Sequence, residues 1–264
     1  MEVKLLSYMP RAAEVAAASA LMCRTTQTAS EILEENEPEW LKEKFQDIVQ
    51  NNGHTNVLEW CEYVFEINLV SRGYTHEAVR HRVASYLQMS TRAIDFSNEG
   101  IRIVIPDDKE LNTKESLKVF KEVEKYLNIN YNLLIDLGEK PENARQILPI
   151  GLSHSIVVKM NGHSLLNFFQ KRLCNRSHWE IREVANRMLG LIREVDPEVA
   201  DCFGRPCELR WMKVKKESSV MLDAICMNIP LLKLFNKVLR RSLCYEKQCC
   251  GHWKKLVGES DEMS

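Results

Sequence analysis

Residues 80–92 read Arg80-His81-Arg82-Val83-Ala84-Ser85-Tyr86-Leu87-Gln88-Met89-Ser90-Thr91-Arg92. Arg80, His81, Arg82 and Arg92 are four potential cations, with the hydroxyls of Ser85 and Ser90 and the amide of Gln88 between them. Cations held this close repel one another, and an anionic ligand or several carboxylates must offset the cost. Arginine's planar fork grips phosphate through two hydrogen bonds, where lysine offers a point charge. The chemistry indicated is capture of a polyanion. Ser90 has no His–Asp partner placed by sequence to activate it as a nucleophile, so a substrate-contacting hydroxyl is its better role. The bland alternative for the arginines is a solvated, salt-bridged face.

Ordered structure must hold such a cluster. Cys61–Val70 alternates with Tyr63, Phe65, Ile67 and Leu69 on one face, the pattern of a half-buried strand. Arg72-Gly73 then turns into a short helix that should carry Thr75–Arg82. Upstream, Val3–Met9 reads as a strand and Pro10 opens an Ala-rich helix to about Cys23. Glu31–Asn51 is helical, broken at Glu37-Pro38, and stops at Asn51-Asn52-Gly53. Downstream, Ile101–Ile105 reads as a short strand. Asn112 is the expected cap of a long helix with Leu117, Phe120, Leu127, Tyr131 and Leu134 at helical spacing. Pro141 opens a short helix ending near Ile147, Leu152–Asn161 is a strand, and Ser164–Leu173 and Trp179–Val195 are helices. The economical architecture is one α+β domain, a sheet flanked by helices.

The chain of 264 residues can bury a full core. A formal net charge of −1 gives no global pull toward nucleic acid or an anionic membrane, so any basic site is local. An extended basic groove with exposed aromatics, as single-strand binding needs, does not fit that charge. No apolar run reaches bilayer-spanning length. The N-terminus lacks a signal-peptide pattern. Nine cysteines without paired spacing suggest free thiols in a reducing, cytoplasmic compartment.

The Arg80–Arg92 stretch resembles the signature of the flavin-dependent thymidylate synthases, RHR-x-x-S-x-x-[QE]-x-S-x-R. Its fixed positions fall on Arg80, His81, Arg82, Ser85, Gln88, Ser90 and Arg92. A chance match of that kind has odds on the order of one in a million, at about one in twenty per position. Three further stretches follow in the family's order. Gly53-His54 with Glu59 resembles its GH-x-x-x-x-E segment. Glu142-Asn143-Ala144-Arg145-Gln146-Ile147-Leu148-Pro149 resembles its E-x-A-R-x-x-L-P segment. Asn161 to Trp179, with Asn167-Phe168-Phe169, Arg172 and Trp179-Glu180-Ile181-Arg182, is similar to its C-terminal flavin- and nucleotide-binding part. The stricter family form has Asn-Glu where this chain has Leu87-Gln88 and Tyr where it has Ala93. Trp60 stands where many members carry a second His, and His163 where an arginine is often found.

The resemblance covers roughly residues 1–200 and implies the fold of the thymidylate synthase-complementing proteins, with a mixed or antiparallel sheet. It implies a homotetramer with active sites at subunit interfaces. The implied reaction is methylation of dUMP to dTMP, with methylenetetrahydrofolate as carbon donor, FAD as hydride carrier and NADPH as reductant. The family uses no cysteine nucleophile. Arg172, Arg92 and Ser90 would take catalytic roles. His54, Glu59, Arg80, His81, Arg82, Asn161, Asn167 and Arg176 would hold FAD. Glu77, Arg80, Gln88, Ser90, Arg92, Arg145 and Arg172 would hold the nucleotide. A homologue that binds nucleotide but has lost redox chemistry is the alternative, motivated by Leu87, Trp60 and His163. A purely structural subunit is a third.

Residues 201–264 form a divergent tail of unknown role. It carries Cys202, Cys207, Cys226, Cys244, Cys249 and Cys250, the basic runs Lys213–Lys216 and Arg240-Arg241, and moderate helical patterning over Met221–Leu239. Cys244, Cys249, Cys250 and His252 lack the paired spacing of a structural zinc site, so no metal is expected.

Overall fold

A computed structural model of the chain describes residues 1–106, 110–111 and 113–209. The tail features from Lys213 to His252 therefore lie outside the described residues. Strand β1 spans Glu2–Tyr8, and helices α1 (Ala12–Met22), α2 (Ala29–Glu35) and α3 (Pro38–Gln46) follow. A π-helical turn over Asp47–Asn51 and a 3-10 turn over Thr55–Trp60 lead into β2 (Glu62–Ser71) and α4 (Arg72–Ala78). Next come β3 (Ser85–Gln88), α5 (Phe96–Glu99), α6 (Lys114–Asp136) and α7 (Pro141–Ala144), the last running on as a 3-10 turn over Arg145–Ile147. The described chain closes with β4 (Ser153–Asn161), α8 (Gly162–Arg172), α9 (Trp179–Val195) and α10 (Pro197–Ala200). No described helix is long and apolar enough to cross a membrane.

The chain divides into two compact units that interleave along it. Among the described residues the first, a sheet unit, holds Met1–Pro10, Cys61–Asn161 and Trp179–Leu191; the second, a helical unit, holds Arg11–Trp60, Gly162–His178 and 192–209. Four crossovers fall at element ends, and the fifth, between Leu191 and Ile192, falls within α9.

The sheet unit is built on four antiparallel strands in the order β1-β2-β4-β3. On β2, Tyr63, Phe65 and Ile67 are buried as their alternation requires. On β4 the buried partners are His154, Ile156, Val158 and Met160. Leu69 departs from expectation. Between Ile67 and Val70 the β2 register slips by one residue against Ile156 and His154. That bulge puts Leu69 at φ 55° and leaves it 48% exposed, while Val70 takes the buried place.

A second apolar cluster in this unit joins Phe96, Ile101, Tyr131, Ala144 and Leu152, with Met89 and Ile94 packed against it. Tyr131 meets Phe96 edge-on at 6.1 Å. Ile101–Ile105 is not a strand. Asn128 exchanges two 2.8 Å hydrogen bonds with the backbone of Ile101, and Glu124 accepts from the Ile103 N–H at 2.7 Å. Those α6 side chains occupy groups a ladder would need, and one bridge, Ile103 to Leu152, remains. The cap of α6 is Thr113, whose hydroxyl accepts from the Ser116 N–H; Asn112 lies outside the described residues.

In the helical unit α1 buries Ala12, Ala13, Ala16, Ala17 and Ala18. A methyl-lined face lets Leu41 and Phe45 of α3, Ile32 of α2 and Leu58 approach closely, and all four are buried. Helix α2 opens with a capping box in which Thr28 and Glu31 satisfy each other's backbone N–H. Phe168 and Phe169 of α8 pack at 5.8 Å, and Phe203 lies 5.2 Å from Phe169.

Candidate active site

The sheet unit positions the cationic signature through α4 and β3. Ser71 caps α4 by accepting from the Tyr74 N–H at 2.9 Å. Buried Glu180 at the start of α9 holds Ser71 in turn, accepting from its N–H at 2.6 Å and its hydroxyl at 2.5 Å. Helix α4 ends at Ala78 rather than reaching Arg82. The last bonds tighten to three-residue reach, Arg80 N–H to Glu77 and His81 N–H to Ala78. The Tyr86 hydroxyl then lies 2.9 Å from both the Ala78 and His81 carbonyls, tying β3 back onto the loop. Arg80 and Arg82 consequently project from a short pinned loop and are exposed, while Glu77 and His81 are half-buried. Within the described residues neither Arg80 nor Arg82 forms an ion pair.

Strand β3, unseen in the sequence, runs along the free side of β4, pairing Ser85 with Lys159 and Gln88 with Ile156. Leu87 is 79% exposed there. The Met89 N–H donates to Ser155, and the Ala93 and Ile94 N–H groups both return to the Ser90 carbonyl. Ser90–Arg92 is thus a tight turn, bracketed by Met89 and Ile94 in the apolar cluster. Arg92 Nε meets Glu142 Oε2 at 3.1 Å. Glu142 lies in the first turn of α7, and Arg145 follows directly after the helix, half-buried. Two resembling segments, 50 residues apart between Arg92 and Glu142, are therefore in contact. Asn161 closes β4.

Behind this surface His154 is buried, its Nε2 3.3 Å from Arg72 Nη1. Burial, and then the Arg72 charge, hold its proton affinity below the usual histidine range, with the Met89 backbone pulling the other way. The Tyr131 hydroxyl is pushed above the ordinary tyrosine value, chiefly by burial.

The helical unit carries the remaining residues. Gly53 adopts φ 72°, which its missing Cβ permits, and so ends the helical run as expected. The exposed His54 directly precedes the 3-10 turn, and the exposed Glu59 lies within it. His163 Nδ1 lies 3.0 Å from the Thr55 carbonyl, so this ring nitrogen donates and ties α8 to that turn. Asn167 is exposed one turn on, Arg172 ends α8 half-buried, and Arg176 is exposed beyond it. A cavity of about 480 Å³ opens beside these elements, its lining including Ala16, Met22, Cys23, Arg24, His54 and Trp60. Sequence reasoning missed Cys23 and Arg24. Their signal was the end of a helix too rich in alanine to fill the space beside it. The buried Cys202 thiol, in contrast, is pushed up to about 12 by burial.

A sequence profile described as Thymidylate synthase complementing protein matches residues 4–198. A flavin-dependent thymidylate synthase of Saccharolobus solfataricus is 34% identical over 231 residues, covering 85% of each chain. One from Geobacter sulfurreducens is 32% identical over 225 residues, covering 83% of this chain and 96% of its own. Among solved structures, thymidylate synthase X from Helicobacter pylori, determined with FAD and dUMP, superposes with a TM-score of 0.60. It is 21% identical, and the match covers 76% of this chain and 99% of that one, a likeness of fold.

Proposed function

The chain belongs to the flavin-dependent thymidylate synthase family, and on that footing we propose that it methylates dUMP to dTMP. Methylenetetrahydrofolate is the carbon donor and NADPH the reductant. The observation that supports this reading is the 3.1 Å contact of Arg92 with Glu142, which joins the segment carrying Ser90 and Arg92 to the segment carrying Arg145. Arg92, Arg145 and Gln88 orient the nucleotide, with Glu77 and Ser90 beside them. Arg80, His81 and Arg82 take phosphate, and Arg172 stabilises the negative charge that develops on the uracil ring. Fixed guanidinium dipoles do this best where water is excluded.

FAD, when bound, supplies the hydride. The helical unit fits such a group: its cavity offers Trp60 and His54 as flat partners and Arg24 as a cation, in a volume within the range of cofactor sites. His54, Glu59, Asn167 and Arg176 of this unit are assigned to hold it, and Arg80, His81, Arg82 and Asn161 carry the same assignment on whichever chain of the assembly supplies them. The five described cysteines are all free thiols, in keeping with a reducing cytoplasmic setting.

The active assembly is proposed to be a homotetramer in which one chain completes another's site. Support comes from α6, whose Val119, Val123, Tyr126, Ile129 and Leu133 form an exposed apolar stripe at three- and four-residue spacing. The test is thymidylate formation from dUMP with FAD, NADPH and methylenetetrahydrofolate. Wild type should be yellow and active, while Arg92→Ala should fold, bind FAD and lose turnover at least about a hundredfold. A colourless protein that takes up no FAD would refute the proposal. Nucleotide binding without product would favour a homologue that has lost redox chemistry.

A further inference from the structure

Among the described residues, one buried side-chain nitrogen or oxygen lacks a hydrogen-bond partner: Nδ1 of His154. The residue is 1% exposed and sits mid-sheet on β4, opposite Val70 of β2. Its other nitrogen decides its chemistry. Arg72 Nη1, 3.3 Å from Nε2, can only donate, so Nε2 must accept. The ring is then neutral with its proton on Nδ1, and that N–H is a buried donor left unmatched. Proteins retain few of these, because an unmet buried donor forfeits its hydration without return.

The ring's surroundings indicate what the donor is for. Arg72 opens α4, whose far end leads to Glu77 and Arg80. On the other side of β4, the Met89 N–H already donates to Ser155. The β3–β4 pairing that sets Gln88 against Ile156 and Met89 against Ser155 brings the Met89 backbone beside the residue next to His154, and its carbonyl is the group there that a ring N–H can meet. Met89 directly precedes Ser90. Resting on the function proposed above, we propose that His154 is a positioning residue for the Ser90–Arg92 turn, its Nδ1–H held for the Met89 carbonyl and bonded to it when nucleotide draws the turn inward. Arg72, His154 and Met89 then join the two arms of the cationic signature through one imidazole.

Two substitutions separate the ring's two nitrogens. In His154→Asn the amide N–H falls near Nδ1 and restores the donor; in His154→Gln the carbonyl falls near Nε2 and restores only the acceptor for Arg72. The full-length, FAD-loaded protein is assayed for KM and kcat with dUMP, and for dUMP binding by calorimetry. Asn should stay within about threefold of wild type in KM, and Gln should raise it about tenfold at unchanged FAD content. Equal KM in both variants, whether unchanged or raised alike, overturns the positioning role and leaves packing. Should either variant fail to fold, nitrogen-15 spectra of the wild-type ring decide: Nδ1 must carry the proton, and its N–H proton must move downfield on adding dUMP. A proton on Nε2, or no movement, overturns the proposal. Wild type that neither binds nor converts dUMP would instead sink the parent function, while the tautomer stays readable without substrate.

Discussion

Replacing Glu180 by Ala should be among the most damaging single changes away from the ligand-facing surface. Its carboxylate is 1% exposed and accepts both the backbone N–H and the hydroxyl of Ser71. The same hydroxyl accepts the Tyr74 N–H, so the one carboxylate orients the residue that caps α4. Removing it leaves two buried donors without an acceptor. Hydrogen bonds to a charged group are worth about 1.5–3 kcal/mol each, and the cost of stranding donors falls in the same range. Two such bonds give a loss of about 3–5 kcal/mol, allowing for some relaxation. Glu180→Gln keeps one acceptor oxygen and should lose about 1–2 kcal/mol.

Converted at about 2–4 °C per kcal/mol for a chain this long, Glu180→Ala should lower Tm by roughly 6–20 °C. Urea unfolding at pH 7, read by tryptophan fluorescence, measures the free energy directly. The double mutant with Ser71→Ala tests the mechanism, because deleting the hydroxyl removes one of the stranded donors. The two losses should fall short of additivity by about 1 kcal/mol or more. A Glu180→Ala protein within about 1 kcal/mol of wild type, or strict additivity with Ser71→Ala, would refute the account.

Leu69 holds φ 55° at a half-exposed bulge, so Leu69→Gly should raise stability by about 0.5–1 kcal/mol in the same urea assay. Burial and the Arg72 charge hold native His154 below its ordinary proton affinity near 6.5, so the unfolded state binds more protons as pH falls through that value. Stability therefore falls as pH drops below about 6.5 toward the lowered native value, by up to about 1.4 kcal/mol per unit. The stability difference between wild type and His154→Gln should fall as pH drops below about 6.5 and stay flat above about 7, while carboxylates common to both cancel. Iodoacetamide at pH 8, followed by mass spectrometry, should label exposed Cys23 within minutes and leave Cys202 untouched in the native state.

Legibility in the sequence tracked how locally each feature is determined. Tyr63, Phe65 and Ile67 alternate because one face of β2 is buried, and that signal survives in the sequence alone. The bulge at Leu69 left no trace, since its residue is not the glycine that usually marks a left-handed bulge; the mismatch of β2 against β4 imposes it. Strand β3 escaped notice because it pairs along one side only and leaves Leu87 and Gln88 to solvent, so burial writes no period of two. Ile101–Ile105 failed the opposite way. Its residues suit a strand, but Asn128 and Glu124, more than 20 residues on, take its backbone bonds. The candidate site divides along the same line. Residue types at Arg80–Arg92 were readable as chemistry, whereas the Arg92–Glu142 contact and the Cys23–Arg24 cavity wall depend on tertiary placement.

Exposure of the signature arginines follows from the same electrostatics that first drew attention to them. In water two guanidinium charges about 4 Å apart repel by only about 1 kcal/mol, so an exposed loop tolerates Arg80 and Arg82 without carboxylate partners. Buried unpaired, the same charges would cost several kcal/mol each and the loop would not fold as it does. The sheet unit solves this by pinning the backbone instead of the side chains: Tyr86 holds the Ala78 and His81 carbonyls, and Met89 and Ile94 anchor the turn in apolar packing. The cations are thus fixed at their roots while their charge stays unspent until an anion or a covering surface lowers the local dielectric. Only then does the interaction become strong, and the folded chain has already met the cost of placing them.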